Sequence, residues 1–103
     1  MRKAEVFVHG VKAGVLQESL DKNTWFFLYS TNYKGPPVSL TLPVERGEFN
    51  FKSFPPFFEG LLPEGLQLEA LLRICKIDRY DLFGQLVAVG GDTVGAVTVQ
   101  EAK

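Results

Sequence analysis

The chain has 103 residues, 46% of them hydrophobic and 22% charged, and a formal net charge of −1. That length suits one domain, residues 1–103, able to bury roughly 60 to 70% of the surface its unfolded chain would expose, and that composition excludes disorder. Near-neutral charge without a basic run excludes direct grip on a phosphate backbone, and the longest apolar run, Trp25 to Tyr29, falls far short of the roughly 20 residues of a membrane span.

In chain order, Glu5 to Val8 alternates in polarity up to His9-Gly10, and Gly14 to Gln17 resumes an extended pattern, which together predict a hairpin. Asp21-Lys22-Asn23 makes a polar turn into Trp25-Phe26-Phe27-Leu28-Tyr29. That segment is apolar on both faces, so one face of its strand is free to await a partner. Val38, Leu40 and Leu42 recur with period two and predict a strand with these three side chains inward, ended by Pro43. Glu48 to Lys52 alternates again. Pro55 and Pro56 then remove two backbone donors and close the strand half.

Pro63 suits the first turn of a helix in which Leu68, Leu71, Leu72 and Cys75 follow at helical spacing, with Glu64 and Glu69 early and Arg73 and Lys76 late. Asp78 is the expected cap of a second helix with Leu82, Phe83 and Leu86 as its buried stripe, stopped by Gly90-Gly91. Thr93 to Gln100 reads as a last strand. The resulting fold class is α+β: a small, mainly antiparallel, barrel-like sheet with two helices between the penultimate and last strands.

Five of the nine phenylalanines lie between Phe49 and Phe58. This places much apolar area immediately before the leucine-rich helix, either as a corner of the core or as a working surface. Tyr33, Phe54, Phe57 and Phe58 are the loop aromatics of that kind, and Trp25 and Tyr29 belong to the same residue types that dominate interface hot spots.

Chemistry is thinly represented. His9 and Cys75 are the only histidine and cysteine. They are expected as a strand residue and a buried helix residue, too few for a metal site or a disulfide. Gly90-Gly91-Asp92-Thr93-Val94-Gly95 lacks the lysine and hydroxyl of a phosphate loop and reads as a helix stop followed by a turn. Ser19, Ser30, Ser39, Ser53 and Cys75 have no base in their sequence neighbourhood, and Glu59 and Glu64 fit capping better than acid/base work. The reading is a non-enzyme without catalytic residues, metal or cofactor, soluble and cytoplasmic, whose business is protein contact.

Three segments carry a family resemblance. Phe57-Phe58-Glu59-Gly60-Leu61-Leu62-Pro63-Glu64-Gly65, then Lys76-Ile77-Asp78-Arg79-Tyr80-Asp81-Leu82-Phe83-Gly84, then Val89 to Val97 together resemble the N-terminal domain of HipA-type serine/threonine kinases. The opening Glu5-Val6-Phe7-Val8-His9-Gly10 is similar to that family's first hairpin. In such kinases the catalytic core follows this domain, whereas this chain stops at Lys103. It therefore resembles HipS, the free-standing form in three-component HipB-HipS-HipT toxin-antitoxin systems.

The resemblance implies a non-catalytic antitoxin that neutralises a HipT-like serine/threonine kinase toxin by contact near its active site. It also implies a HipB-like helix-turn-helix protein in a ternary complex that touches DNA only through that protein. The alternative is a subunit that supports the activity of a split HipA-type kinase; a remnant domain without a partner is a third. The expected partner-binding residues are Tyr33, Phe54, Phe57, Phe58, Glu59, Leu61, Leu62, Pro63 and Glu64.

Overall fold

The computed structural model describes residues 1–92 and 95–102, the side chain of Asp92 excepted. Strands β1 (Arg2–Val8), β2 (Val11–Glu18), β3 (Trp25–Tyr29), β4 (Glu48–Phe51) and β5 (Val97–Glu101) form one sheet in the order β4-β3-β2-β1-β5, every pair antiparallel. Helices α1 (Pro56–Glu59), α2 (Gly65–Cys75) and α3 (Leu82–Val89) lie between β4 and β5. The α+β class and the antiparallel sheet are as the sequence predicts. The sheet stays open, with β4 and β5 as its edges, and the described residues form three α-helices rather than two.

The first hairpin turns on His9 and Gly10, with φ of 50° and 81°. Two positive values are what a two-residue turn matched to strand twist demands, and the glycine supplies one without a steric cost. His9 is thus a turn residue, not a strand residue. Its N–H donates to Ala96 O at 2.9 Å, which fastens the hairpin tip to the approach of β5. The register shift between Val6 and Phe7 marks a bulge at Ala13, the one residue of β2 skipped by the pairing. Gly14 follows it, where a Cβ would collide with the Leu28 carbonyl, so β2 and β3 approach closely only because that side chain is missing.

Register decides the faces. Ala4, Leu16, Phe27 and Phe49 stand in one cross-strand row, Val6 faces Val99, and Val8 faces Val97; all are buried. Phe27 is the hub. Its ring lies 5.8 Å from Phe58 of α1, 6.5 Å from Phe49 and 4.8 Å from Tyr29. Phe83 and Leu86 of α3 complete the layer, and Gly90 lets the end of α3 rest on the backbone of Val99.

Several local expectations are corrected. Residues 38–42 form no strand: Leu42 N–H bonds Ser39 O at 3.0 Å in a tight turn, which buries Val38 and Leu42 and leaves Leu40 96% exposed. The donors a ladder would need are taken locally: Val38 N–H by the Tyr29 hydroxyl, Thr41 N–H by the Ser39 hydroxyl and Leu42 N–H by the Ser39 carbonyl. Helix α2 starts at Gly65 with Glu64 at its N-cap, so Pro63 precedes the helix instead of lying in its first turn. The cap of α3 is Asp81, whose carboxylate accepts from Gly84 N–H at 3.1 Å; Asp78 instead accepts from Tyr80 N–H at 2.7 Å in the preceding turn. Cys75 is exposed, not buried. Thr93 and Val94, where the last strand was expected to begin, lie outside the described residues.

One polar node ties the sheet to α3. Arg2 donates to Glu18 at 2.8 Å and to both oxygens of Asp81 at 3.2 and 2.7 Å, while its guanidinium sits 4.9 Å from the centre of the Phe83 ring. Trp25 Nε1 donates to the other Glu18 oxygen at 3.2 Å. The Arg2 hydrogen bonds hold the Asp81 carboxyl below its ordinary pKa. The second buried polar side chain, Gln85, donates to the carbonyls of Asp78 and Arg79 and so fixes the turn between α2 and α3.

Candidate protein-docking surface

The phenylalanine-rich stretch divides between core and surface. Pro55 and Pro56 do not merely interrupt the backbone. Pro56 opens α1 at its first position, where a missing N–H costs nothing, and Glu59 and Gly60 N–H bond the carbonyls of Pro55 and Pro56 at 3.0 Å each. This single turn sends Phe58 inward to full burial and leaves Phe57 at the side, edge-on to Phe58 at 5.2 Å. Phe54 is also buried, edge-on to Trp25 at 5.9 Å.

Tyr33 is core as well. It stacks on Tyr29 at 5.9 Å and donates to Pro36 O, while Tyr29 donates to Leu42 O and accepts from Val38 N–H. The two tyrosines therefore staple the 30–42 loop, and burial pushes both phenols up in pKa. Of the expected partner-binding residues, Tyr33, Phe54 and Phe58 lie beneath the surface. Phe57, Leu61, Leu62 and Pro63 are half-buried, and Glu59 and Glu64 are exposed. These six sit on one continuous run from α1 to the start of α2.

Helix α2 extends that surface. None of its residues is buried: Leu68, Leu71 and Leu72 are half-covered, Leu66 is 88% exposed and Ile74 75%. Leu66, Ala70 and Ile74 recur at i, i+4 and i+8, so the helix carries a second apolar stripe facing away from the leucines that rest on the domain. That spacing is legible in the sequence, beside the inward set Leu68, Leu71, Leu72 and Cys75 that the helical pattern predicts. Lys76 in the left-handed conformation ends the helix, its N–H and that of Ile77 both bonding Leu72 O, and Arg79 pairs with Glu69 at 2.5 Å.

Two further surfaces complete the picture. A groove of about 280 Å³ runs between the 41–51 segment and Pro55–Phe57, with Arg46 4.9 Å over the Phe49 ring on its wall. On the face of the sheet away from the core, Phe7, Val15, Phe26 and Leu28 form a half-covered apolar centre. This is the second face of β3 that its two-sided sequence predicted.

Little here resembles a reaction centre. Ser19 and Ser39 use their hydroxyls in turns, and His9 projects at the hairpin tip. Among the described residues, Glu59 and Glu64 make no ion pair, no cluster of three potential metal ligands occurs, and no helix is long and apolar enough to cross a membrane. What the arrangement offers chemically is apolar area flanked by carboxylates.

Comparison with known proteins gives this surface its context. An uncharacterised protein of Haemophilus influenzae is 35% identical over 103 residues, covering all of this chain and 95% of that one. The solved N-terminal domain of HipA toxin superposes with a TM-score of 0.79 at 28% identity, covering 100% of this chain and 94% of that one. A chain of the Shewanella oneidensis MR-1 toxin-antitoxin complex of HipA, HipB and operator DNA shares the fold, with a TM-score of 0.77 at 24% identity over 94% of this chain and 23% of that one. The family model for the HipA N-terminal domain matches residues 4–100, and the chain belongs to that family.

Proposed function

We propose that this protein is a non-catalytic antitoxin that binds a HipT-like serine/threonine kinase near its active site and neutralises it. The carrying observation is an end-to-end likeness to the N-terminal domain of HipA toxin, combined with apolar side chains on α2 that this fold leaves uncovered. A domain that in a longer kinase packs against a catalytic core keeps that packing surface when it acts alone. The Haemophilus relative, matched over 95% of its length, supports the view that the domain occurs as a small protein.

In this reading Phe57, Glu59, Leu61, Leu62, Pro63 and Glu64 meet the kinase, continued by Leu66 and Ile74. Phe58 holds that surface from beneath through Phe57, while Tyr33 packs on Tyr29 and Phe54 on Trp25. The buried area on this protein is on the order of 800 Å². A HipB-like helix-turn-helix protein joins the two in a cytoplasmic ternary complex, and DNA is contacted through that protein alone, in keeping with a net charge of −1.

The deciding experiment is affinity capture of the tagged protein from its native lysate, with mass identification of the co-purifying chain and a kinase assay before and after its removal. A kinase that becomes active once this protein is stripped away supports neutralisation. A kinase that loses activity on stripping supports the split-subunit alternative and refutes the antitoxin, and capture of no kinase refutes both.

A further inference from the structure

The free edge of β4 offers more than apolar surface. Tyr29 N–H bonds Gly47 O at 2.8 Å and Ser30 N–H bonds Ala13 O at 2.8 Å, which fixes the phase of both ladders on β3. Residues opposite one another alternate between bonded and non-bonded pairs in an antiparallel ladder. Given Phe27 opposite Phe49 and Trp25 opposite Phe51, those pairs turn their backbone groups toward each other, and Glu48 and Asn50 turn theirs outward.

The groove lies along that edge. Phe49 and Phe51 point to one face of the sheet and Asn50 to the other, yet all three line it, so it must follow the rim of the strand rather than either face. Its far wall is Pro55, Pro56 and Phe57. At about 280 Å³ it accommodates a side chain or two, below the size usual for a small-molecule site. Arg46 on its wall has no carboxylate within ion-pair distance among the described residues.

We propose that this edge receives an extended segment of the partner protein as a sixth strand. The backbone of that segment bonds Glu48 and Asn50, one of its apolar side chains enters the groove against Phe57 and Pro55, and a neighbouring carboxylate reaches Arg46. Naming the kinase as owner of the segment rests on the function proposed above; the strand-accepting edge itself does not.

The test uses the full chain, isotopically labelled, titrated with a blocked hexapeptide of alternating threonine and valine that carries one central phenylalanine and an aspartate two residues from it, on the same face of the strand. Expected are saturable amide shifts confined to the 41–57 region and largest at Glu48 and Asn50. Methylating alternate peptide nitrogens should weaken binding about 10-fold or more, as should Asn50→Pro, since an outward-facing edge position tolerates proline in the fold but loses its donor. Arg46→Ala should weaken it about 3- to 10-fold, and exchanging the peptide aspartate for lysine should do the same.

Equal binding of the N-methylated peptide, shifts centred elsewhere, or no saturable shift at millimolar peptide each overturns the proposal. If the peptide fails while a neutralised kinase is still captured, the edge site falls and the antitoxin stands. If the peptide binds as described and no kinase is captured, the reverse holds.

Discussion

Arg2→Met isolates the node that joins sheet to helix. The methionine keeps an apolar stem of similar length but removes every hydrogen bond to Glu18 and Asp81 and the guanidinium over Phe83. Glu18 then remains with only 5% of its side chain exposed and Trp25 Nε1 as its single side-chain donor. Stripping one partner from a fully buried pair costs about 3–5 kcal/mol, but the Arg2 and Asp81 side chains are 38% and 30% exposed, so solvent compensates part of the loss. The expected destabilisation is about 2 kcal/mol, which for a domain of this size lowers the thermal midpoint by about 8–16 °C. At a urea m-value of about 1 kcal/mol/M the midpoint falls by about 2 M with m unchanged. Adding Glu18→Met removes the stranded carboxylate and should recover about 1 kcal/mol, the remainder reflecting the unpaired Trp25 N–H. Additive losses in the two single variants, or a loss under about 0.5 kcal/mol for Arg2→Met, would refute the coupling.

Acid unfolding should report the same node. The Asp81 pKa is depressed in the folded state, chiefly by Arg2, so its contribution is complete above the ordinary carboxylate value near 4 and disappears as pH falls through the lower folded value; Asp81→Asn should therefore flatten the stability–pH curve below about pH 4. Gly90→Ala, at an ordinary φ of −57° where alanine is conformationally welcome, should still cost about 1–3 kcal/mol in a chemical melt, because its Cβ meets the Val99 carbonyl. Phe58→Ala should cost about 3–5 kcal/mol, whereas Leu66→Gln with Ile74→Gln should change stability by no more than about 0.5 kcal/mol per site while abolishing capture of the partner.

The elements fixed by local chemistry were the ones legible in the sequence. His9-Gly10 announces its hairpin because the turn demands positive φ at consecutive positions, and the alternation of Glu48 to Phe51 gives β4 directly. Alternation alone misleads at Val38 to Leu42, because Ser39 offers a local turn whose hydroxyl and carbonyl take the Thr41 and Leu42 N–H groups that a ladder would need. The choice between Asp78 and Asp81 as helix cap could not be made locally. Both precede the apolar run, and the decision involves Arg2, which is 79 residues from Asp81 in sequence. The phenylalanine-rich stretch reads from sequence as apolar area in need of cover. Its division between Phe58 inside and Phe57 outside follows from one helical turn that two prolines made hard to foresee.

That division shifts the working surface toward α2 and has a consequence for its dynamics. An isolated helix of 11 residues is marginal in water, and most helical stability in proteins comes from a buried face. Helix α2 buries none of its residues; it is held by the half-covered Leu68, Leu71 and Leu72, by the backbone closure at Lys76, and by an exposed Glu69–Arg79 pair. Strands β2 and β3, by contrast, lie inside the sheet with neighbours on both sides. Amide hydrogen exchange in the free protein should consequently be about 100-fold or more faster in the middle of α2 than in β2 and β3, because α2 opens without unfolding the sheet. A partner that covers Leu66 and Ile74 binds only the closed helix and should draw its exchange down toward that of the sheet, while a partner seated on the β4 edge alone should leave it unchanged. Equal protection of α2 and the central strands in the free protein would mean that the leucines anchor the helix far more firmly than their exposure implies, and the case for α2 as a surface completed by its partner would be lost.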